Sequence, residues 1–340
     1  MKYNLLGRTG LKVSELCLGT MTFGGKGFFK VIGSIGQEVA NDLVKRSFDA
    51  GINFIDTANI YSEGMSEEIT GQALRDLGIN RHDVVLATKV RGTMGAGPND
   101  KGLSRKHIMH QAEASLKRLK TDHIDLYQIH SYDPLTPIAE TMRALDDLVR
   151  SGKVRYIGAS NLAAWQLMKA LSFSQYNHVE QFVSLQAYYT IAGRDLEREL
   201  IPLLEDQQVG LMVWSPLAGG FLSGKYKRHA TGQEGRRNAT FDFPPIQKDR
   251  AFDIIDLLTL LAAEKEATVA QLALAWLLHQ SAVTTVIIGA NKAEQLEDNL
   301  KSTSVKFSSD ELEKLDAVSR VQLEYPAWML QRTGADRTPG

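Results

Sequence analysis

The feature that most constrains this chain is a rhythm. Eight short, apolar, β-rich runs alternate with longer stretches of helical periodicity: ELCLG (15–19), INFID (52–56), VVLATKV (84–90), IDLYQIH (124–130), VRYIGAS (154–160), FVSLQ (182–186), GLMVWS (210–215) and TVIIG (285–289). Runs that are apolar almost throughout, rather than alternating, suit a parallel sheet covered on both faces, with the intervening helices as its crossovers. Eight such units predict an α/β fold, a (β/α)8 barrel occupying 1–340 as one domain. A doubly wound open sheet is the alternative, but no G-x-G-x-x-G follows the first run, so that reading lacks its main support.

Local signals fill in the helices. Ser66 is expected to cap a helix with an acidic first turn, and Thr136-Pro137 to give a cap followed by proline at the first helical position. Thr268-x-x-Gln271 and Ser308-x-x-Glu311 read as capping boxes. Ile108, Ala112, Leu116 and Leu119 keep a 3.6-residue spacing, as do Ile138, Met142, Leu145 and Val149. YNLLGRTGLKV reads as a hairpin turning around Gly7 to Gly10, ahead of the first barrel strand. The insert GGKGFFKVIGSIGQ (24–37) and the tail after Val321 stand outside the eight units.

Composition narrows the function. With 39 basic against 40 acidic side chains and a pI near 6.7, no broad cationic surface for nucleic acid or anionic lipid is expected. Cys17, flanked by Leu16 and Leu18, is the lone cysteine. It excludes an intramolecular disulfide or a four-cysteine zinc site, reads as a small core residue, and fits a reducing, cytoplasmic setting. The opening MKYNLLGRTGLKVSE carries no secretory pattern, and VAQLALAWLLHQ is too short to span a bilayer. Trp276 and the leucines around it are expected in the core. His107, His110 and Glu113 form a row on one helix face, read as solvated, and no metal is assigned.

In a barrel of this kind, functional groups gather at the carboxyl ends of the strands. Asp56 ends the second run and Tyr61 lies five residues later; Lys89 lies near the end of the third, and His130 ends the fourth. A phenol titrates near ~10, and an adjacent ammonium would lower that value while a carboxylate keeps the lysine charged. Tyr61 would then be the acid, with His130 donating a hydrogen bond to a carbonyl oxygen. Neither a nucleophilic serine with its base nor an H-E-x-x-H zinc site is present. A Schiff-base lysine at Lys89 ranks last, because Asp56 would hold it protonated. Oxidation or reduction at carbon remains.

These residues carry a resemblance to the aldo-keto reductases over nearly the whole chain. It runs through GRTGLKVSELCLGTMTFG, NFIDTANIYSEGMSEEITGQAL, ATKV, SLKRLKTDHIDLYQIH, GKVRYIGASNL, QAYY, VWSPLAGGFLSGKY and VIIGANKAEQLEDNL. The resemblance implies a catalytic tetrad of Asp56, Tyr61, Lys89 and His130, with NADPH or NADP+ as cofactor and an aldehyde or ketone, or the corresponding alcohol, as substrate. It places Gly19, Thr20, Met21 and Asp56 near the nicotinamide, Ser160, Asn161 and Gln186 on its carboxamide, and Trp214 stacked on its ring. The commoner family pattern has tyrosine at that last position; around WSPLAGG the chain is more similar to potassium-channel β subunits. Ser215, Pro216, Leu217 and Gly219 would follow the pyrophosphate, Gly289, Asn291, Gln295, Asp298 and Asn299 the adenosine, and Lys225 and Arg237 the 2′-phosphate.

The phosphate placement is consistent with loops leading into helix amino termini. Gly219-x-x-x-x-Gly224-Lys225 nearly spells a P-loop, but Tyr226 stands where Ser or Thr would hold magnesium, so nucleotide hydrolysis is rejected. Met21, Phe28, Phe29, Arg91, Tyr132, Tyr325 and Trp328 are the expected substrate walls, suited to a ring-bearing or apolar carbonyl compound. A second class of function, a cofactor-sensing subunit resembling the channel β subunits, stays open, as does the oligomeric state.

Overall fold

A computed structural model describes residues 1–228 and 242–334. Eight parallel strands close into a barrel: Leu16–Gly19 (β3), Phe54–Asp56 (β4), Val85–Val90 (β5), Ile124–Ile129 (β6), Val154–Ser160 (β7), Phe182–Tyr188 (β8), Gly210–Trp214 (β9) and Val283–Ile288 (β10). Neighbours in sequence are neighbours in the sheet, and β10 closes on β3 with Val286 opposite Leu16. Each expected run became one barrel strand, with ends differing by a residue or two. The second run starts later than expected, at Phe54, and the sixth extends to Tyr188.

The expected hairpin is Tyr3–Leu5 (β1) paired antiparallel with Lys12–Ser14 (β2). It plugs the amino-terminal end of the barrel. Leu6 and Val13 pack with Cys17, Phe54, Val85, Met212 and Ile287 inside the ring of strands. The turn sits so close to the strands that a Cβ on Gly7, whose φ is 57°, would lie 2.3 Å from the Val183 carbonyl oxygen. Only glycine fits there. With that end sealed, the opposite rim is left for chemistry.

Helices cover the outside: Gln37–Asp49 (α1), Met65–Asp76 (α2), Arg105–Leu119 (α3), Ile138–Arg150 (α4), Ala164–Asn177 (α5) and Leu200–Gln207 (α6) follow β3 to β8 in turn. Lys248–Glu264 (α7) and Val269–Leu278 (α8) lie between β9 and β10, and Ala293–Lys301 (α9), Ser309–Ser319 (α10) and Ala327–Gly334 (α11) follow β10. Ile108, Ala112, Leu116 and Leu119 of α3 are buried together, as their spacing required. In α8 every residue from Val269 to Leu277 is buried, Trp276 included. Both capping boxes form, at Thr268 and Ser308. No helix among the described residues is long and apolar enough to cross a membrane.

Three local expectations are corrected. Helix α2 starts one residue before Ser66, with Gly64 as its cap; the Ser66 hydroxyl instead donates to the Thr20 carbonyl at 2.7 Å, tying α2 to the loop after β3. Pro137 is the cap of α4, not its first helical residue, and the Thr136 hydroxyl donates to Asp133 at 2.7 Å. His107 is buried rather than solvated, and burial pulls its pKa below the usual imidazole value; His110 and Glu113 on the same helix are exposed.

Candidate active site

The four strand-end residues meet. Asp56 ends β4, Lys89 is the penultimate residue of β5, His130 follows β6, and Tyr61 opens the turn after β4. Lys89 is wholly buried, and its three ammonium hydrogens have three acceptors: Asp56 Oδ2 at 2.5 Å, the Thr57 carbonyl at 2.9 Å and Tyr61 Oη at 3.3 Å. Asp56 Oδ1 accepts from the side-chain amides of Gln128 at 3.0 Å and Gln186 at 2.9 Å. The tyrosine ring lies edge-on to His130, 5.7 Å between centroids.

Gln128 was missed by the sequence reading. It pairs in register with Lys89 and lies two residues before His130, so strand alternation turns both toward the barrel axis. That alternation was the available signal. Gln186 was expected on a carboxamide; its amide nitrogen is committed to Asp56 and approaches Gln128 Oε1 at 3.4 Å, which leaves its carbonyl oxygen for that role.

The electrostatics differ from expectation at one point. Burial is the largest influence on Tyr61 and raises its pKa above the usual phenol value; Lys89 pulls it down and Asp56 pushes it up, and the net direction is upward. The expected acidification is outweighed because taking a phenolate out of water costs more than one ammonium restores. For Lys89 burial works against the charge, but Asp56 and Tyr61 more than offset it, and its pKa is raised. His130 is pulled down to about 3 by burial, then by Lys89 and Arg91. At neutral pH the site holds a protonated phenol, an ammonium and a neutral imidazole.

The insert 24–37 packs on the Tyr61 turn. Ser62 Oγ accepts from the Gly25 amide at 2.9 Å and donates to the Phe23 carbonyl at 3.1 Å. Phe29 lies 5.4 Å from the Tyr61 ring, with Phe28 edge-on behind it. Arg91 donates to the Tyr132 carbonyl at 3.0 Å, and Met21 is partly exposed at the rim. Tyr325 and Trp328 are not brought to the tetrad: they are 76% and 44% exposed, and their rings meet each other.

The other side of the rim holds the proposed dinucleotide contacts. Asn161, with a φ of 53°, donates to the His130 carbonyl at 3.1 Å and to Ser160 Oγ at 3.0 Å, and accepts from the Trp214 indole N–H at 3.0 Å. Trp214 offers a flat aromatic surface, and Phe243 lies nearly parallel to it at 5.9 Å. In the turn after β9, Pro216 is buried and Leu217 packs on the core. The Gly219 amide donates to Ser215 Oγ at 2.9 Å. A Cβ built on Gly220 or Gly289 would meet nothing within 4 Å, so both loops border open space. Lys225 is exposed, whereas Tyr226 is buried and stacked on Phe221. A stacked phenol is no magnesium ligand, in keeping with rejecting a P-loop.

Gly19 is pressed against Ile287 and pairs with Asp56 across β3 and β4, while the Thr20 amide donates to the Asp56 carbonyl at 2.9 Å. Gln295 accepts from the Asn291 amide at 2.8 Å, and Asn299 donates to the Gly289 carbonyl at 3.4 Å. Asp298 accepts from both Thr268 and Gln271, so its two oxygens already serve the cap of α8. Arg237 lies outside the described residues. An indole face at Trp214, amide side chains at Asn161 and Gln186, an open glycine turn and the exposed Lys225 thus lie at the strand ends and on the loops that follow them.

Sequence comparison with known proteins identifies the family. The model of the aldo/keto reductase family matches residues 15–320. The oxidoreductase YrpG of Bacillus subtilis is 40% identical, covering 94% of this chain and 96% of its own length. A probable voltage-gated potassium channel subunit beta of Arabidopsis thaliana is 38% identical over 90% of this chain and 92% of its own. The versiconal hemiacetal acetate reductase of Aspergillus parasiticus is 37% identical over 93% and 96%. A match over most of the barrel, with the strand-end residues assembled as described, makes the chain a member of the aldo/keto reductase family of oxidoreductases.

Proposed function

We propose that the protein is an NADPH-dependent carbonyl reductase, working reversibly on an aldehyde or ketone and its alcohol, with Tyr61 as the general acid and base. The observation that carries this reading is the fully buried Lys89, bonded at once to Asp56, Thr57 and Tyr61. Bound NADPH supplies a hydride to the carbonyl carbon. The neutral His130 ring donates a hydrogen bond to the carbonyl oxygen and orients it. Tyr61 gives its proton to that oxygen as negative charge grows there, and Lys89 stabilises the phenolate left behind. In the oxidative direction the phenolate takes the proton back. Asp56, itself held by Gln128 and Gln186, keeps Lys89 an ammonium, which disfavours a Schiff base.

Trp214 is the surface for the nicotinamide, Ser160, Asn161 and the Gln186 carbonyl its amide partners, and Lys225, with Arg237, the ligands for a 2′-phosphate. Phe29 beside Tyr61, with Phe28 edge-on to Phe29, favours an aromatic or otherwise apolar carbonyl compound. The names of two relatives, versiconal hemiacetal acetate reductase and putative aryl-alcohol dehydrogenase, point the same way. A reducing cytoplasm suits the lone buried thiol.

Loss of NADPH absorbance over a panel of aryl, aliphatic and sugar carbonyls, with NADH as control, tests class, cofactor and substrate together. Turnover with aryl aldehydes and NADPH is expected. Tight NADPH binding without turnover on any member of the panel would move the assignment to a cofactor-sensing subunit; one relative is a probable voltage-gated potassium channel subunit beta.

A further inference from the structure

Tyr61 is followed by an unfavourable stretch of backbone. Ser62, Glu63 and Gly64 have φ values of 49°, 59° and 92°, and two of these three carry side chains. Left-handed backbone of this kind persists only where its surroundings over-determine it. On one side the insert clasps Ser62, as described. On the other stands Arg118 of α3: a Cβ on Gly64 would lie 2.8 Å from its Cδ and 3.1 Å from its Nε. The arginine stem fills the space a side chain at 64 would need.

Arg118 is itself fixed by Glu67 in the first turn of α2. Glu67 is wholly buried; its Oε2 accepts from Arg118 Nε at 2.6 Å and its Oε1 from Thr88 Oγ1 at 2.5 Å. Thr88 precedes Lys89 on β5. Because successive strand residues face opposite sides, Thr88 points out toward α2 while Lys89 points into the barrel. One carboxylate thereby ties the turn carrying Tyr61 to the strand carrying Lys89. Apolar residues of similar volume often replace a buried ion pair without loss of stability, so what distinguishes this pair is its directional bonds.

The geometry points to Glu67 and Arg118 as positioning residues for proton transfer: from outside the barrel they fix the 3.3 Å separation of Tyr61 Oη and Lys89 Nζ, touching neither substrate nor cofactor. The inference rests on reading Tyr61 as the acid. Tyr127, whose buried hydroxyl feels the Glu67 charge, lies close enough to report on the same carboxylate.

The full chain is labelled with fluorotyrosine, and the Tyr61 fluorine resonance is assigned by its loss in Tyr61→Phe. In Glu67→Gln the Tyr61 and Tyr127 resonances should both move, whereas Arg118→Lys, which keeps a cation opposite Glu67, should leave Tyr61 close to the parent position. With NADPH and an aryl aldehyde, Glu67→Gln should lower kcat on the order of 10- to 100-fold, the scale of an ångström-sized misplacement. The KM for NADPH should stay within about twofold. Thr88→Val cuts one bond only, and should give a smaller loss in the same direction; it decides the matter if Glu67→Gln does not fold. A folded Glu67→Gln, or failing that Thr88→Val, with the parent Tyr61 resonance and parent kcat overturns the proposal. If the parent protein reduces no carbonyl, the functional reading fails on its own, while the resonances still decide whether Glu67 positions Tyr61.

Discussion

The two sides of the barrel rim are built differently. Over β4 to β6, Asp56, Tyr61 and Lys89 are buried and bonded to one another, and the Asp56 carboxylate is further held by Gln128 and Gln186. After β9 and β10 most of the candidate contacts are at least partly exposed, Pro216 and Asn299 excepted, the backbone runs through left-handed Ser215, Ala218, Gly219 and Gly220, and Lys225 stands in solvent. The difference follows from what each side must do. Proton transfer gains from fixed charges in a dry setting that needs no rearrangement. A dinucleotide arrives from water along a groove, so the groups that meet it must stay reachable. Substitutions on the first side should therefore strike turnover and stability, and on the second side cofactor affinity.

The largest effect tests that separation directly. Tyr61→Phe removes one hydroxyl, and kcat for an aryl aldehyde should fall by roughly 10²- to 10⁴-fold, the worth of a positioned proton donor. NADPH affinity, read by fluorescence titration, should stay within about twofold; a parallel loss of affinity would merge the two sides into one. Next comes Lys89→Met. It strands the Asp56 carboxylate without its cation, and urea unfolding should show a loss of about 3–5 kcal/mol, as for other broken buried pairs. A loss near that of an exposed pair would mean that the first side is solvated after all. Lys225→Ala should raise the KM for NADPH about tenfold, as expected for one charge-assisted phosphate contact, with kcat and the NADH parameters unmoved. Equal changes with both cofactors would remove Lys225 from the 2′-phosphate.

Much of the first side was legible in the sequence and less of the second. Strand ends are marked by where an apolar run stops, and Asp56, Lys89 and His130 lie at or within a residue of such stops, so the barrel rule alone brought them together. Tyr61 came with them through its distance from Asp56. Alternation from His130 could have placed Gln128 on the inner face, but its partner, like that of Glu67, stays hidden because a polar residue within an apolar run or a helix turn gives no sign of its partner until register is known. Ser66 looked like a cap because caps and tertiary hydroxyl bonds use the same residue type; only the fold shows its hydroxyl reaching Thr20. Asp298 was assigned to adenosine by position in a motif, and its bonds to Thr268 and Gln271 arise between two helices that no local pattern relates. The net direction at Tyr61 was misjudged for a related reason: a sequence shows which charges are near but not how much water has been removed.

The last and smallest test asks on which side of the rim His130 belongs. An imidazole outside the fold titrates near ~6.5, and this one is pulled down to about 3. Between those values the unfolded chain binds a proton that the folded protein does not, so stability rises with pH across the window and is lost as pH falls below about 6.5. The loss from this one group should approach roughly 1 kcal/mol per pH unit in the upper part of the window. His130→Gln removes the group, so unfolding free energies of the two proteins, measured from pH 7 down to 5, should converge as the parent loses its advantage. Kinetics should agree: with the ring neutral and Tyr61 protonated throughout, reduction by the parent should show no acid limb near pH 6 to 7. An acid limb there that disappears in His130→Gln would make the imidazole a solvated group, placing it with the accessible half of the rim and leaving the dry half with three members.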